Sequence, residues 1–486
     1  MQRTVVLNVV GLTRNLLGEH TPNINTLARQ QCTDIKPVTP AVTCSAQATY
    51  LTGKRPSEHG IVANGWYFRD QNEVWLWRQS NKLIQAPKIW DMGRARNADF
   101  TCSNTFWWYA MATGADYTLT PRPLYCADGK KLPDCYTFPL ELRDTLTEKL
   151  GTFPLFHFWG PATSVKSSRW IADAAMHVER EHQPTLQLVY LPHLDYCLQK
   201  FGPDGDIGKD LKEIDDLVGD LLTFFKAQGC NVILLSEYGI QPVNRPVHPN
   251  RILRDAGKLS LKVDLGREYL DFDTCRAFAM SDHQISHIYV QKPEDTAEIK
   301  ALFEQTPGVA KVLEGAERAE YGLDHERAGE LILLAEADSW FTYYYWNDEN
   351  RAPDFAHQVE IHKKPGFDPC EMFFDPRLKF PKLKAARKVL QKKLGFRYVL
   401  DVISTDASQI KGSHGVSDGS EYSTPILMSS RPDLLPRGKL DATEVCELIL
   451  QHIFNEVSPN VADVEATAIA DKEPEETIDM SRKKDD

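Results

Sequence analysis

The run from Thr4 to Val10, TVVLNVV, carries apolar side chains without alternation and stops at Gly11. A strand that is apolar on both faces has to be covered on both faces, as a central strand of a parallel sheet is. Two more runs of this kind follow, Leu186 to Leu191 (LQLVYL) and Asn231 to Leu235 (NVILL). Between them lies the clearest helix pattern in the chain. From Lys209 to Phe225, Leu211, Ile214, Leu217, Val218, Leu221, Leu222 and Phe225 recur at steps of three and four, and Gly229 follows. A strand–helix–strand series of this kind folds back as a crossover onto a mainly parallel sheet. The expected fold class is α/β, with helices flanking the sheet.

The remaining chain is read against that frame of strands. Thr21-Pro22 opens a short helix over Asn23 to Arg29. Residues 68–185 are mixed and rich in tryptophan, and the proline-rich section Asp116 to Pro139 reads as a long irregular excursion. From Gln241 to Lys411 the texture changes: strand-like runs at Ser286 to Val290 and Leu331 to Leu334, a helix near Asp295 to Gln305, and an aromatic block from Trp340 to Trp346. A strand at Thr424 to Met428 and a helix at Ala442 to Phe454 then return to the main pattern. The expected organisation is a core of residues 1–240 and 411–457, an insertion or cap of residues 241–410, and an acidic tail of residues 458–486. The tail's acidic charge predicts disorder.

Of the 486 residues, 56 are basic and 68 acidic, a net charge of −12. That balance excludes a nucleic-acid polymer as general partner, since the phosphate backbone demands a basic surface. It leaves room for a small phosphorylated substrate in a locally positive, metal-lined pocket. Ten cysteines are scattered without a C-x-x-C pair, and no run of about 20 apolar residues offers a membrane span. The residues after Met1 read as a strand and not as a signal peptide. A reducing cytoplasm is the expected compartment. No P-loop, H-E-x-x-H or G-x-S-x-G frame occurs.

The stretch Pro37 to Tyr67 places Thr43 and Ser45 just before or at the start of a helix that ends at Gly53. A hydroxyl there is either a helix cap or part of an anion site, because the helix N-terminus offers unpaired N–H groups and a positive dipole end. Three strand ends carry polar residues, at Val10-Gly11, at His193-x-Asp195 and at Glu237-Tyr238, and sites in open α/β sheets form beyond such ends. Phosphoryl transfer through a covalent intermediate needs a nucleophile beside a cation, and cations of this kind are held by carboxylates and imidazoles. The candidates are Thr43, with Asp195, Glu237, His414, His193 and His362.

The segment from Thr43 to Asn64, T-x₈-T-G-x-x-P-x-x-H-G-I-V-x-N, resembles the nucleophile motif of nucleotide pyrophosphatases/phosphodiesterases in the alkaline phosphatase superfamily. Thr21-Pro-Asn, Tyr190-x₄-Asp195, Phe201-Gly-Pro-Asp204, Ser236-Glu-Tyr-Gly239 and Gly412-Ser-His-Gly415 continue the similarity in order up to about residue 430. The resemblance implies an alkaline phosphatase-like core and makes Thr43 the nucleophile. It implies Asp195, Glu237 and His414 as metal positions. Gln199 and Tyr238 stand where the family has metal-binding histidines and are expected to contact substrate. Val10 replaces an early aspartate, and Ala46 replaces an asparagine expected to hold phosphoryl oxygens. The implied cofactor is a divalent metal, zinc by the family pattern, reduced here to one ion.

Replacement ligands are open to His193, which in an extended chain would point the same way as Asp195, and to His362, Asp282-His283 and His287. Lys363-Lys364 reads as a solvated loop. The expected function is hydrolysis of a phosphodiester or pyrophosphate bond. The alternative is a catalytically degenerate relative that binds a phosphorylated metabolite or a protein partner.

Overall fold

The computed structural model describes residues 1–127, 131–396 and 399–456; the expected acidic tail lies outside these. In chain order, the elements that frame the site begin with β1 (Thr4–Val9), β2 (Cys32–Lys36) and helix α1 (Thr43–Thr52). They continue with β3 (Cys102–Thr105), β4 (Tyr117–Pro121), β5 (Cys135–Phe138), α2 (Val165–His182) and β6 (Leu186–Leu191). Next come α3 (His193–Phe201), α4 (Gly208–Ala227) and β7 (Asn231–Leu235). A second group holds β8 (Ala277–Asp282), β9 (Ile285–Val290), β10 (Val309–Glu314) and β11 (Leu331–Ala335). The chain returns with β12 (Ile426–Ser429), β13 (Leu440–Asp441) and α5 (Val445–Phe454).

One nine-stranded sheet runs β13-β2-β12-β7-β1-β6-β3-β4-β5. Its central five strands are parallel, with Val6 of β1 level with Leu188 of β6 on one side and Ile233 of β7 on the other. β12 and β5 join antiparallel to β7 and β4. The three unalternating runs are therefore the centre of the sheet, and every residue of β1 and β6 is buried. Helices α2 and α4 and helix α5 cover the sheet; Ala172, Ala175, Val178, Leu217, Leu221 and Ile449 belong to its core.

The section Asp116 to Pro139 is not the irregular excursion its prolines suggest, because it supplies β4 and β5 at the sheet edge. Pro121 ends β4, and Pro139 lies just past β5, positions where a missing N–H does not interrupt a central ladder. Among the described residues, 241–410 add no strand to the large sheet. Four of their strands form a separate sheet, β8-β9-β11-β10, with a core of its own built on Phe278, Ile288, Leu333, Trp340 and the Tyr343–Trp346 block. A third apolar cluster joins the two parts: Cys44 and Ala48 of α1 pack with Ile285, Leu313, Ile332 and Leu334 of the second sheet. The helix that begins at Thr43 therefore lies at the seam.

All ten cysteines are unpaired. Among the described residues, no helix is long and apolar enough to cross a membrane.

Candidate active site

Thr43 is the first residue of α1, and the cap position before it belongs to Val42, whose backbone is extended. The threonine therefore does not cap the helix; its hydroxyl is turned inward and is 4% exposed. Ser45 donates its hydroxyl to the Ile61 carbonyl at 2.8 Å and is spoken for. Gly53 ends the helix in the left-handed region, φ 66°, with its N–H on the Thr49 carbonyl. The N-terminus of a ten-residue helix thus faces the site beside the candidate nucleophile, a favourable place for negative charge.

Thr43 Oγ1 lies 3.0 Å from Tyr238 Oη. That phenol donates to Asp195 Oδ1 at 3.1 Å, which leaves its oxygen to accept from Thr43. Asp195 takes a second hydrogen bond, at 2.8 Å on Oδ2, from the Gln199 amide. Asp195 and Gln199 sit one turn apart on α3, so they share a face. Burial raises the Asp195 carboxyl above its ordinary range, against the lowering effect of His283, Gln199 and Tyr238. Burial and the two nearby carboxylates, Asp195 and Glu237, push the Tyr238 phenol well up, so it remains a proton donor.

Glu237 is completely buried just past β7. Its Oε1 accepts from Asn8 Nδ2 and from Gln47 Nε2, each at 2.5 Å. Burial pushes its carboxyl up to about 8, and these amides together with Thr43 only partly offset that. Gln47 is fixed in turn, since its Oε1 accepts the Trp108 N–H at 2.7 Å. Two side-chain amides thus share Oε1, while Oε2 is buried without a hydrogen-bond partner. The ligand atoms of Asp195, Glu237 and His414 do not all lie within 4.8 Å of one another.

His414 stacks on Tyr238, ring centroids 3.6 Å apart and planes within 6°. Its Nδ1 donates to the Ala41 carbonyl at 2.8 Å, which fixes the tautomer and leaves Nε2 with a lone pair. Burial and the neighbouring His283 hold this imidazole well below its ordinary pKa, hence neutral. Nε2 has no hydrogen-bond partner and lies 3.8 Å from Asp195 Oδ1. His414 Nε2 is thus a buried acceptor without a donor, while Asp195 Oδ1 takes the Tyr238 hydroxyl. Gln199 Oε1 is also buried and unpartnered. An imidazole fixed through its other nitrogen and an amide oxygen suit one divalent ion.

The tip of the β8–β9 hairpin completes the wall. His283 opens its two-residue turn at φ 59°, a left-handed conformation that costs a non-glycine residue about 1–2 kcal/mol. Its ring lies 3.7 Å from that of His414 and 3.8 Å from that of Phe367. Nδ1 bonds Asp282 Oδ1 at 2.8 Å, while Nε2 is buried and unpartnered. Asp282 also accepts from the Asn64 N–H at 2.8 Å and the Asn64 side chain at 3.1 Å, and Asn64 Oδ1 takes the Cys44 N–H at 2.9 Å. Gly415 permits the docking of this tip: a Cβ there would lie 3.1 Å from the Gln284 nitrogen, which donates to the His414 carbonyl.

The other candidates fall elsewhere. His193 does not point with Asp195, because both lie in the first turn of α3 and not in an extended segment. Two residues along a helix turn about 200°. His287 accepts from the Gly329 N–H and donates to the Val62 carbonyl, both at 3.2 Å, so it is a structural residue. His362 lies beside Tyr125. Lys364 is not in a solvated loop: it is 1% exposed and pairs with Asp368 and Glu371, each at 2.7 Å.

Asn8 and Gln47 were given no role by the sequence reading, yet each left a signal. Asn8 is the one amide side chain in the run TVVLNVV, and Gln47 lies four residues after Thr43 on the same helical face.

A family model described as type I phosphodiesterase / nucleotide pyrophosphatase matches residues 4–368. A Schizosaccharomyces pombe protein described as an uncharacterized pyrophosphatase/phosphodiesterase is 25% identical over 236 residues, 46% of this chain and 41% of that protein. The match thus spans less than half the length of that curated relative. Among solved structures, murine ectonucleotide pyrophosphatase/phosphodiesterase 5, as an inactive threonine-to-alanine variant with AMP, superposes with a TM-score of 0.57 at 15% identity. The match covers 94% of this chain and 96% of that one. Phosphonoacetate hydrolase from Sinorhizobium meliloti with phosphonoformate gives 0.59 at 13% identity, over 93% and 96% of the two chains. These likenesses establish the shared α/β fold.

Proposed function

The chain belongs to the type I phosphodiesterase / nucleotide pyrophosphatase family, and from that membership we propose that it hydrolyses a phosphodiester or pyrophosphate bond in a small phosphorylated substrate, with Thr43 as nucleophile. The observation that carries this reading is the relay Thr43–Tyr238–Asp195, a hydroxyl joined to a buried carboxylate through a phenol. As Thr43 Oγ1 bonds to phosphorus, its proton passes to Tyr238 while the Tyr238 proton passes to Asp195. The bond from phosphorus to the leaving oxygen breaks. Water then cleaves the threonine ester and the relay runs in reverse. The N-terminus of α1 faces the phosphoryl oxygens.

The family is typically dependent on a divalent metal. His414 and the Gln199 amide oxygen would hold one ion next to the relay, and that ion would supply charge neutralisation at the phosphoryl group. Glu237, bonded to Asn8 and Gln47, orders the floor beneath Thr43 instead of serving as a ligand. The inactive threonine-to-alanine variant of the murine neighbour, and the AMP and phosphonoformate bound by the neighbours, support the nucleophile and the substrate class. Ten unpaired cysteines support a reducing compartment, the cytoplasm.

A second reading rests on the same phenol. Tyr238 fills the space between Thr43 and Asp195, and both Thr43 and His414 are sealed from solvent, as in a relative that has kept the fold but binds instead of turning over. Turnover of a chromogenic phosphodiester by the wild type and by Thr43→Ala, measured with metal content, separates the two. The hydrolase reading expects one ion at this site and loss of turnover in the variant. Equal background rates in both proteins leave the binding reading.

A further inference from the structure

A second group of ligand-type atoms lies where α3 and α4 begin. His193, the first residue of α3, is 2% exposed, and its Nε2 lies 3.2 Å from Asp210 Oδ1 and 3.5 Å from Glu213 Oε2. All three ligand atoms fall within 4.8 Å of one another. Asp210 and Glu213 are three residues apart on α4 and so share a face. Neither ring nitrogen of His193 has a hydrogen-bond partner, although the imidazole is buried and aimed at the two carboxylates. The carboxylate side chains are 25% and 33% exposed, which leaves the group open to water on one side. Lys209 Nζ lies 3.5 Å from Glu213 Oε1, the oxygen turned away from His193.

We propose that His193, Asp210 and Glu213 form a binding site for a first-row divalent cation, separate from the Thr43 site. One imidazole and two carboxylates with open positions for water suit zinc or manganese. His193 leads into the helix that carries Asp195 and Gln199, so a cation here ties the start of that helix to α4. Its occupancy would steady the carboxylate at the end of the relay without touching substrate.

The test uses the full chain, stripped with a chelator and dialysed against zinc alone. Bound zinc is counted by mass spectrometry and the thermal midpoint is followed with and without zinc. The variants are Glu213→Gln, the pair Asp210→Asn/Glu213→Gln, and His414→Ala. The partly exposed positions of Asp210 and Glu213 keep these substitutions compatible with folding, and Glu213→Gln alone already removes one of three ligands. The expected result is one equivalent of zinc fewer in the double variant than in the wild type. The zinc-dependent rise in midpoint should be smaller in the double variant than in the wild type, and His414→Ala should keep the part of the rise that this site contributes. Equal zinc content and an equal rise in wild type and double variant would overturn the proposal and leave His193 in a simple ion pair with its neighbours.

Discussion

The hydroxyl of Tyr238 lies 3.0 Å from the hydroxyl of Thr43, with both side chains buried. Because the same phenol donates to Asp195, a hydrogen-bonded path joins the Thr43 hydroxyl to that carboxylate, as the proposed relay requires. Tyr238→Phe keeps the ring stacked on His414 and removes only the relay. General-base assistance is worth about 10²–10⁴-fold. Turnover of a chromogenic phosphodiester should fall by an amount in that range, with the thermal midpoint nearly unchanged. Undiminished turnover would remove Tyr238 from the chemistry.

Asp282 ties the hairpin of the second sheet to the motif that carries Thr43. It accepts from the Asn64 N–H, the Asn64 side chain and His283. Asp282→Ala strands several buried donors at once, each at roughly 1–3 kcal/mol. Urea unfolding should show a loss of roughly 3–5 kcal/mol, and a loss below 1 kcal/mol would mean that the hairpin docks without this bridge.

Lys364 sits between Asp368 and Glu371 in the second core, all three almost fully buried. Lys364→Met leaves two uncompensated carboxyl groups, and breaking a buried ion pair in this way costs about 3–5 kcal/mol. Replacement of all three by apolar residues should recover most of that loss. A single variant as stable as the wild type would refute the pairing.

Several buried imidazoles are held neutral by desolvation: His59 at about 3, and His248, His287 and His452 each at about 4. Their stabilising contribution is complete above the unfolded value near 6.5 and is lost as pH falls from there towards 4, because only the unfolded chain takes up the proton. Each imidazole then costs about 1 kcal/mol between pH 7.5 and pH 5.5. His452, bonded to Ser429 and to the Leu448 carbonyl, is the cleanest case. The stability difference between wild type and His452→Gln should narrow on acidification across that window; a difference independent of pH would contradict the assignment.

Much of this was legible in the chain. The three unalternating strands and the period of α4 follow from burial alone, and the resemblance through Thr43, Asp195 and His414 marked side chains that the fold does bring together around Tyr238. What was not legible depended on local geometry. His193 read as extended because a strand precedes it, but the chain turns into a helix at that residue and carries its side chain to α4. Lys364 read as solvated because charge in a loop is usually wet; two carboxylates four and seven residues later bury it. The approach of Asp282-His283 to the site depends on how the second sheet docks on α1, which no spacing in the sequence encodes.

In the proposed reaction the Thr43 oxygen forms a covalent bond to phosphorus. Rapid quench of the enzyme with a chromogenic phosphodiester, followed by peptide mass analysis, reads it directly. A phosphoryl adduct is expected on the peptide containing Thr43, formed as the chromophore is released and absent from Thr43→Ala. Chromophore release at the same rate in both proteins, with no adduct on that peptide, would contradict it.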